Sequence, residues 1–240
     1  MKLCLIPARG GSKRIPRKNV KPFFGKPIIE RSIEAALSCD KIDRVIVSTD
    51  DAEIAEVAQN AGVEVPFVRA AHLSDDHATI MDVIADTLEW ADREINEPLA
   101  AICCLYATAP FVRAEDLSGA YRRLKESGAS CVFTATEYAY PIQRALRIVD
   151  GRVAMFQPNH LVTRSQDLEP AYHDAGQFYW LRPDAVRARI PIFGPQSAIY
   201  LLDRARVQDI DTIEDWNFAE RLFALAQGER GGGERGGFHD

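Results

Sequence analysis

The chain has 240 residues, a formal net charge of −6 and a hydrophobic fraction of 47%, values that are ordinary for a soluble globular protein. This length is sufficient for one α/β domain with its own core. The acidic balance argues against a general nucleic-acid-binding protein, which needs a basic face. No apolar run approaches the length of a membrane span, and the first one is too short for a signal peptide, so we expect no membrane partner.

Cysteine usage favours a reducing compartment. The cysteines are odd in number, lie mostly in apolar runs and lack the spacing of a zinc site. The histidines show no metal-binding pattern either. We therefore expect buried free thiols and a cytoplasmic location. The five cysteines are Cys4, Cys39, Cys103, Cys104 and Cys131.

Short β-rich runs alternate with helical patterns through the first half of the chain. This alternation predicts an α/β fold with a mostly parallel sheet, helices on both faces and right-handed crossovers. In chain order, strands are predicted at residues 3–6, 44–48, 63–68, 100–106 and 130–134. Helices, where apolar residues recur at helical spacing, are predicted at residues 28–39, 53–61, 79–90 and 114–126.

The pattern changes after Glu137. Asp150-Gly151 lies between two β-rich runs and suits the tight primed turn of a β-hairpin. A polar, irregular stretch follows before the helical and strand patterns resume. The hairpin runs are residues 145–149 and 152–156, the irregular stretch is 157–169, and the later elements are strands 177–181 and 198–201 and helix 212–226.

These patterns indicate one domain over residues 1–227. Residues 138–176 form an excursion from the main sheet that is suited to a lid or a dimer contact. Residues 228–240 repeat Gly-Glu-Arg-Gly-Gly and contain little that could pack, so we expect a disordered tail.

The loop after the first strand is strongly basic. Seven Lys and Arg residues, and no Asp or Glu, lie from Arg9 to Lys26. Two like charges about 6 Å apart repel by roughly 0.7 kcal/mol even in water, so such a cluster favours a bound anion. Gly10 and Gly11 allow positive φ and a close backbone approach, which would turn N–H groups toward phosphate oxygens. The alternative is a solvated basic loop with ordinary turn glycines.

The spacing in this loop excludes two common phosphate-binding patterns, GxxxxGK[ST] and GxGxxG. Arg9 and Lys13 bracket the glycines and could neutralise β- and γ-phosphates, while loop amides and Ser12 hold them. Lys18 could reach the α-phosphate, where charge grows as pyrophosphate leaves. Ligands of open parallel sheets bind beyond the carboxyl ends of the strands, and this loop starts at that edge.

Two carboxylates near the end of the chain suggest a metal site. In an extended segment Asp209 and Asp211 point to the same side, and such a pair suits Mg²⁺ that also binds phosphate oxygens. Alternatively, Asp211 with Glu214 is a helix N-cap with a capping box, which would leave Asp209 unexplained.

The excursion and the strand after it contain further polar residues that could bind a substrate. An arginine among Arg144, Arg147 and Arg164 could bind a substrate carboxylate by a two-pronged contact, although each is also compatible with an ordinary surface position. His173 could be structural or could face a substrate, and the sequence leaves both open.

Several motifs occur in a fixed order along the chain: IPARGGSK at 6–13 with Pro16 and Lys18-Asn19, VSTD at 47–50, LSD at 73–75, and DIDT at 209–212 with Asp215. Together they resemble the acylneuraminate cytidylyltransferase (CMP-sialic acid synthetase) family. Residues 106–111 (YATAPF) depart from the Gln-Pro-Thr-Ser-Pro-type segment of the sialic acid enzymes. This form, with residues 140–146, 163–168 and 172–180, resembles the branch of the family that uses pseudaminic acid.

The resemblance implies a Rossmann-like nucleotidyltransferase that joins CTP to a nine-carbon 2-keto sugar acid, pseudaminic acid, with Mg²⁺ as cofactor and pyrophosphate as second product. It also implies a homodimer formed through the excursion. Alternatives are a CMP-N-acetylneuraminate, CMP-legionaminate or 3-deoxy-manno-octulosonate synthetase of the same fold, or a non-catalytic nucleotide-binding protein.

The resemblance also assigns roles to residues. Lys18, Asp209 and Asp211 are catalytic, and the two aspartates hold the metal. Arg69 lies near the cytosine. The nucleotide-binding set is Ala8, Arg9, Gly10, Gly11, Ser12, Lys13, Lys18, Asn19, Arg69 and Thr79. The substrate-binding set is Tyr106, Thr108, Arg164, His173, Asp174 and Gln177.

Overall fold

The structure, a computed structural model, describes residues 1–231. Helices and strands alternate along most of the chain. In chain order the strands are β1 (Lys2–Pro7), β2 (Pro22–Phe23), β3 (Lys26–Pro27), β4 (Arg44–Ser48), β5 (Ala101–Leu105), β6 (Cys131–Glu137), β7 (Leu146–Val149), β8 (Arg152–Met155), β9 (Tyr172–Leu181) and β10 (Ser197–Leu201). The α-helices are α1 (Ile28–Leu37), α2 (Ala52–Asn60), α3 (Ile80–Glu94), α4 (Ala114–Ser127), α5 (Pro183–Arg187) and α6 (Ile213–Gly231).

Six strands form the central sheet in the order β10-β6-β9-β5-β1-β4. All neighbours pair in parallel except β9, which is antiparallel to both β5 and β6. The chain leaves the sheet at the end of β6, makes the predicted excursion and returns from the same edge. It therefore needs no crossover before β9, and the direction of this strand reverses. The prediction of a mostly parallel sheet is confirmed.

Helices cover both faces of the sheet because side chains alternate along each strand. In β1, Cys4 and Ile6 belong to a core that includes α1, α2 and α4 residues, whereas Leu3 and Leu5 belong to a second core with α3 residues. These four side chains have no solvent-exposed area. The prediction of a sheet covered by helices on both faces is therefore confirmed.

A third apolar cluster lies beside the sheet and joins two loops to the last helix. It contains Ile15, from the loop after β1, and Ile210, from the segment before α6, packed with Trp216 and Phe223 of α6. Ile15 is 2% exposed and Ile210 is fully buried. Buried apolar residues thus fix the backbones on which Arg14, Asp209 and Asp211 lie.

One predicted strand is wrong, and so is the predicted end of the excursion. Residues 63–68 form only two isolated bridges to the β4 region, Ile46 with Glu64 and Thr49 with Val68. Pro66 lies between them and has no N–H for a ladder. Residues 172–176, assigned to the excursion, instead begin β9, whose pairing with β6 shifts register near Ala135. The hairpin prediction is confirmed: Asp150 (φ 50°) and Gly151 (φ 70°) connect β7 to β8.

The last helix extends beyond the predicted domain boundary at residue 227. α6 is described to Gly231, so the first residues assigned to the tail continue this helix. The rest of the predicted tail, residues 232–240, lies outside the described residues. Within residues 1–231, no helix has the length and apolar character needed to cross a membrane.

Candidate active site

A cleft of about 580 Å³ opens at the carboxyl ends of β1 and β5, where open parallel sheets bind ligands. The loop after β1 forms one side, the start of α3 forms another, and the acidic segment (residues 202–212) closes a third. The cleft brings together most of the predicted site: Arg9, Ser12, Lys13, Lys18, Asn19, Arg69, Thr79, Tyr106, Thr108, Asp209 and Asp211.

Two of the predicted triphosphate ligands contact one carboxylate across the cleft. Arg9 Nη1 lies 3.1 Å from Asp76 Oδ1, and Lys13 Nζ lies 2.5 Å from Asp76 Oδ2. Arg9 also donates to the main-chain carbonyl of Asp75 at 2.6 Å. The cations lower the pKa of Asp76, with Lys13 as the largest cause. One carboxylate therefore pairs with both of the side chains that are predicted to bind the triphosphate.

Two further cations contact the acidic segment. Arg14 Nη2 lies 2.9 Å from Asp211 Oδ2. Lys18 Nζ donates to the Ile210 carbonyl at 2.6 Å and lies 3.4 Å from Asp211 Oδ1. Lys18 is only 18% exposed. The loop after β1 and the acidic segment, far apart in sequence, thus form one polar corner of the cleft.

The remaining cations of the loop have structural partners. Arg17 donates to both oxygens of Asp51, at 2.5 and 2.9 Å, and to Glu53. Lys26 pairs with Glu34, and Lys21 lies 4.9 Å from the Trp216 ring centroid. The expected repulsion is therefore offset by carboxylates from other parts of the chain. Charge density alone did not require a phosphate ligand.

The two loop glycines differ from expectation. Neither Gly10 nor Gly11 has positive φ. A Cβ at Gly10 would lie 2.7 Å from Asp51 Oδ2, whereas one at Gly11 would meet nothing within 4 Å. The Gly10 amide donates to Asp50 Oδ1 at 2.9 Å. Gly10 is thus needed for close packing against the residues that follow β4, and its amide already has a protein acceptor.

Arg69 lies at the inner end of the cleft. It is 5% exposed, and its Nε donates to Ser48 Oγ at 3.0 Å while Nη2 donates to the Ser48 carbonyl. Burial lowers the pKa of Arg69, but a guanidinium remains charged in proteins. Asn19 donates from Nδ2 to the Arg9 carbonyl at 3.0 Å and so holds the basic loop. Thr79 is the N-cap of α3, in a capping box with Asp82.

The structure decides whether Asp211 is the N-cap of the last helix, as the alternative interpretation required. The capping box of α6 is formed by Thr212 and Asp215, because Thr212 N donates to Asp215 Oδ2 at 2.8 Å and Asp215 N donates to Thr212 Oγ1 at 3.2 Å. The cap therefore begins one residue later than the alternative required. The Asp211 side chain is left to face the cleft.

Among the side chains that the structure describes, those of residues 1–227, none pairs with or donates to the Asp209 carboxylate. Its tip is open to the cleft, yet surrounding protein atoms and the Asp211 carboxylate raise the pKa of Asp209, and Lys18 acts in the opposite direction. On the other side is Gly176 of β9, where a Cβ would lie 3.3 Å from Asp209 Cγ. A pair of carboxylates, one of them unpartnered, therefore faces the cleft.

This donor set fits a magnesium ion that also binds the substrate. In the described part of the chain, no three His, Cys, Asp or Glu residues converge in a geometry for binding a metal. Mg²⁺ is usually bound by one or two carboxylates together with substrate phosphates and water. Asp209 and Asp211 supply such a pair opposite the cations of the basic loop.

The other wall of the cleft contains a chain of three polar side chains. The Tyr106 hydroxyl donates to Tyr179 at 3.2 Å, and Tyr179 donates to Asp174 Oδ2 at 2.5 Å. Asp174 Oδ1 accepts from Gly176 N at 3.0 Å. Burial raises the pKa of both tyrosines. This series of hydrogen bonds connects Tyr106, in the cleft wall, to the polar corner of the cleft.

Comparison with known proteins agrees with this geometry. A family model described as Cytidylyltransferase matches residues 3–228. This chain belongs to the cytidylyltransferase family.

The cytidylyltransferase is similar in sequence to two relatives and in fold to one solved structure. The pseudaminic acid cytidylyltransferase of Campylobacter jejuni subsp. jejuni serotype O:2 is 47% identical over 93% of this chain and 96% of its own length. The CMP-N,N'-diacetyllegionaminic acid synthase of Legionella pneumophila subsp. pneumophila is 30% identical over 94% and 97%. The structure of a CMP:2-keto-3-deoxy-manno-octonic acid synthetase complexed with CTP shares the fold, with a TM-score of 0.68, 17% identity and coverage of 94% and 99%.

Some predicted site residues of the cytidylyltransferase do not line the cleft. Arg164 lies in the excursion and pairs with Asp167 at 2.7 Å. Gln177 is 1% exposed, and its amide donates to the Arg206 carbonyl. His173 and Asp174 line a smaller cavity of about 400 Å³ that shares Asp209 and Asp211 with the cleft. Ala8, Gly10 and Gly11 are not among the residues that line the cleft; Ala8 is buried and Gly11 is exposed.

Three residues outside the predicted set line or support the site of the cytidylyltransferase. Arg14 and Asp76 line the cleft, and Tyr179 joins Tyr106 to Asp174. Arg14 belongs to the basic run and Asp76 follows the LSD motif, so both had a sequence signal. Tyr179 lies within the 172–180 motif, but nothing in the sequence indicated its bond to Tyr106, because that bond depends on pairing between strands.

Proposed function

We propose that this protein transfers CMP from CTP to the anomeric hydroxyl of pseudaminic acid and releases pyrophosphate. The observation that carries the proposal is the meeting of Lys18 with Asp211 in one cleft, because cations for a triphosphate and carboxylates for its metal are needed together. The choice of sugar is supported by the relative from C. jejuni, which is a pseudaminic acid cytidylyltransferase.

The triphosphate would replace Asp76 as the partner of Arg9 and Lys13. Phosphate oxygens carry more charge than one carboxylate and offer several acceptors to an arginine fork. Lys18 would then stand near the α-phosphate, where negative charge develops as the bond to pyrophosphate breaks. Ser12, which lines the same part of the cleft, can donate its hydroxyl hydrogen to a phosphate oxygen. The base would lie toward the buried Arg69.

In the reaction the anomeric oxygen attacks the α-phosphorus in line, and its proton passes to solvent water. The new bond is between that oxygen and phosphorus, the bond to pyrophosphate breaks, and no covalent enzyme intermediate forms. Asp209 and Asp211 would hold Mg²⁺, which supplies charge neutralisation and lowers the pKa of the attacking hydroxyl. The protein contributes mainly position and fixed charge, as is usual in phosphoryl transfer.

The sugar acid would occupy the wall that holds Tyr106 and Thr108. Both residues line the cleft, and Tyr106 is fixed by its bond to Tyr179. His173 and Asp174, in the adjoining cavity, would contact the far end of the sugar. N,N'-diacetyllegionaminic acid is a second candidate substrate, because a relative named for it covers nearly the whole chain at 30% identity.

A panel of sugar acids tests the proposal. Pseudaminic, legionaminic, N-acetylneuraminic and 3-deoxy-manno-octulosonic acids are each incubated with each of the four nucleoside triphosphates and Mg²⁺, and pyrophosphate release is measured. We expect release with CTP and pseudaminic acid, and none from Asp209→Asn. Preference for another sugar would change the assigned substrate. CTP binding without pyrophosphate release from any sugar would support the non-catalytic alternative.

We also propose that the protein is a homodimer that pairs through the excursion. The β7–β8 hairpin packs poorly against its own chain, and Ile148 (79%) and Val153 (71%) are largely exposed. Leu161 and Val162, later in the excursion, are also exposed. Exposed apolar side chains gathered in one segment of the chain favour an interaction surface there.

The cellular context follows from the same chemistry. All five cysteines are free and buried, which supports our proposal of a cytoplasmic enzyme. A CMP ester at an anomeric carbon is an activated glycosyl donor. We therefore propose that a glycosyl transfer, to flagellin or to a cell-surface polysaccharide, consumes the product.

A further inference from the structure

The acidic segment (residues 202–212) contains little regular structure. It runs from β10 to α6, and its only ordered turn is the short 3₁₀ helix Arg204–Arg206, capped by Asp203. Irregular backbone holds a carboxylate in place only when other parts of the fold fix it. The attachments of this segment therefore decide where Asp209 lies.

One attachment comes from the sheet. Gln177, in β9, donates from Nε2 to the Arg206 carbonyl at 2.7 Å. Its side chain is 1% exposed, so water does not compete for this bond. The preceding residue, Gly176, adopts φ +61° and lies against the Asp209 side chain. Adjacent residues of one strand thus hold the segment at Arg206 and limit the position of Asp209.

A second attachment comes from α4. The Arg206 guanidinium donates to both oxygens of Asp116, at 2.7 and 3.0 Å. Asp116 is 5% exposed, lies in the first turn of α4 and also accepts from Arg113 N at 3.1 Å. Asp116 raises the pKa of Arg206. A planar two-pronged contact of this kind fixes direction as well as distance.

We propose that Gln177, together with the Arg206–Asp116 pair, positions Asp209 for metal binding. Gln177 is thus a positioning residue and not the sugar ligand that the family resemblance implied. This inference rests on the proposed function, because it assumes that Asp209 is a metal ligand. Asp209 lies three positions after Arg206, at most about 11 Å of extended chain, so a shift at the Arg206 carbonyl reaches the carboxylate.

The test compares two buried glutamines that are closely matched. Gln177 and Gln143 each donate from Nε2 to a main-chain carbonyl, and each has a buried Oε1 without a partner. Gln143 bonds to Glu169 in the excursion and does not line the cleft. Gln177→Met and Gln143→Met therefore remove the same kind of bond with a side chain of similar volume. Only the first releases the acidic segment.

Metal binding is measured directly, with Mn²⁺ as the probe. Mn²⁺ is titrated into each enzyme in the presence of CTP and without sugar, and water-proton relaxation reports the protein-bound ion. We expect Gln177→Met to weaken Mn²⁺ binding by roughly 10-fold, as loss of an outer-shell contact does elsewhere. The Mg²⁺ concentration for half-maximal turnover should rise similarly, while KM for CTP at saturating Mg²⁺ stays within about twofold. Gln143→Met should match the wild type.

The outcomes separate the two proposals. Wild-type Mn²⁺ affinity in Gln177→Met, combined with loss of binding in Asp209→Asn, would overturn the positioning role and leave the function intact. Absence of protein-bound Mn²⁺ in the wild type would overturn the metal site and the positioning role with it. If Gln177→Met does not fold, Arg206→Lys is tested in its place. This variant keeps the charge but loses one contact to Asp116, and we expect it to weaken Mn²⁺ binding in the same way.

Discussion

Lys18 Nζ donates a 2.6 Å hydrogen bond to the main-chain carbonyl of Ile210. The bond joins the basic loop after β1 to the residue between Asp209 and Asp211. Ile210 is itself fully buried, in the same cluster as Ile15 of the basic loop. The Lys18 hydrogen bond and the packing of Ile15 against Ile210 together fix the distance between the cations of the basic loop and the two carboxylates.

Lys18→Ala should lower turnover by roughly 10²- to 10³-fold, the usual effect of losing one donor to a developing charge. The Mg²⁺ requirement should also rise, because the Ile210 carbonyl loses its partner. Steady-state pyrophosphate release measures both effects. Lys26→Ala, which removes a cation of the same loop that pairs with Glu34, is the control. Near-normal turnover in Lys18→Ala would remove Lys18 from the chemistry.

Asp209→Asn should abolish Mg²⁺-dependent turnover without lowering the melting temperature. The Asp209 carboxylate accepts no hydrogen bond from the described side chains of residues 1–227, and burial together with Asp211 raises its pKa, so the charge does not favour the fold. Asp211→Asn should also abolish turnover, but it loses contacts to Arg14 and Lys18 and should melt slightly lower. Differential scanning fluorimetry measures this contrast. Unfolding of Asp209→Asn would instead assign Asp209 a structural role.

Asp76→Asn should tighten CTP binding by roughly two- to fivefold, the scale of exposed ion pairs. In the free protein Asp76 contacts Arg9 and Lys13, and the triphosphate must displace it. Titration calorimetry with CTP and Mg²⁺ measures the change. Asp92→Asn is a matched control, since Asp92 has the same 48% side-chain exposure and pairs with Arg187. Weaker CTP binding would show that Asp76 assists the nucleotide.

The pair of Arg17 with Asp51 should make stability depend on pH. Hydrogen bonds from Arg17 lower the pKa of Asp51 to about 2, against about 3.9 for an unfolded aspartate. The lower folded-state pKa stabilises the fold above pH 4, and this contribution is lost as the pH falls toward 2. Because Arg17 is partly exposed, the effect is small.

Asp51→Asn isolates this contribution, since asparagine remains a good N-cap for α2. Its melting temperature should lie below that of the wild type at pH 5 to 7, and the difference should shrink as the pH falls from 4 to 2.5. Arg17→Gln should show the same convergence. A difference that stays constant with pH would mean that the ion pair contributes nothing measurable.

Ile148→Glu should convert the proposed dimer to a monomer. Ile148 is 79% exposed on the β7–β8 hairpin, and a carboxylate there could not be buried against a second copy without a large desolvation cost. Light scattering after size-exclusion chromatography gives the molar mass. Leu225→Glu changes an apolar residue on α6 that is 68% exposed and should leave the dimer intact. A wild-type monomer would contradict the proposal outright.

Local sequence was sufficient for most of the elements. Strand and helix positions followed from periodicity, and the Asp150-Gly151 turn followed from its need for positive φ at both residues. The stretch at residues 63–68 failed because apolar composition does not report whether a neighbour strand can pair. Likewise, nothing local signalled that β9 runs antiparallel, since strand direction depends on where the chain re-enters the sheet.

For the candidate site, the sequence by itself determined the residue types. The basic loop and the Asp209-Ile210-Asp211 pattern were both visible, because charge and spacing are properties of the chain alone. Only the tertiary structure decided which charges face the cleft. Arg17 pairs with Asp51, whereas Arg9 and Lys13 pair with Asp76. Gln177 donates a hydrogen bond to the Arg206 carbonyl in the acidic segment. Such pairings join residues far apart in sequence, so they depend on the folded backbone.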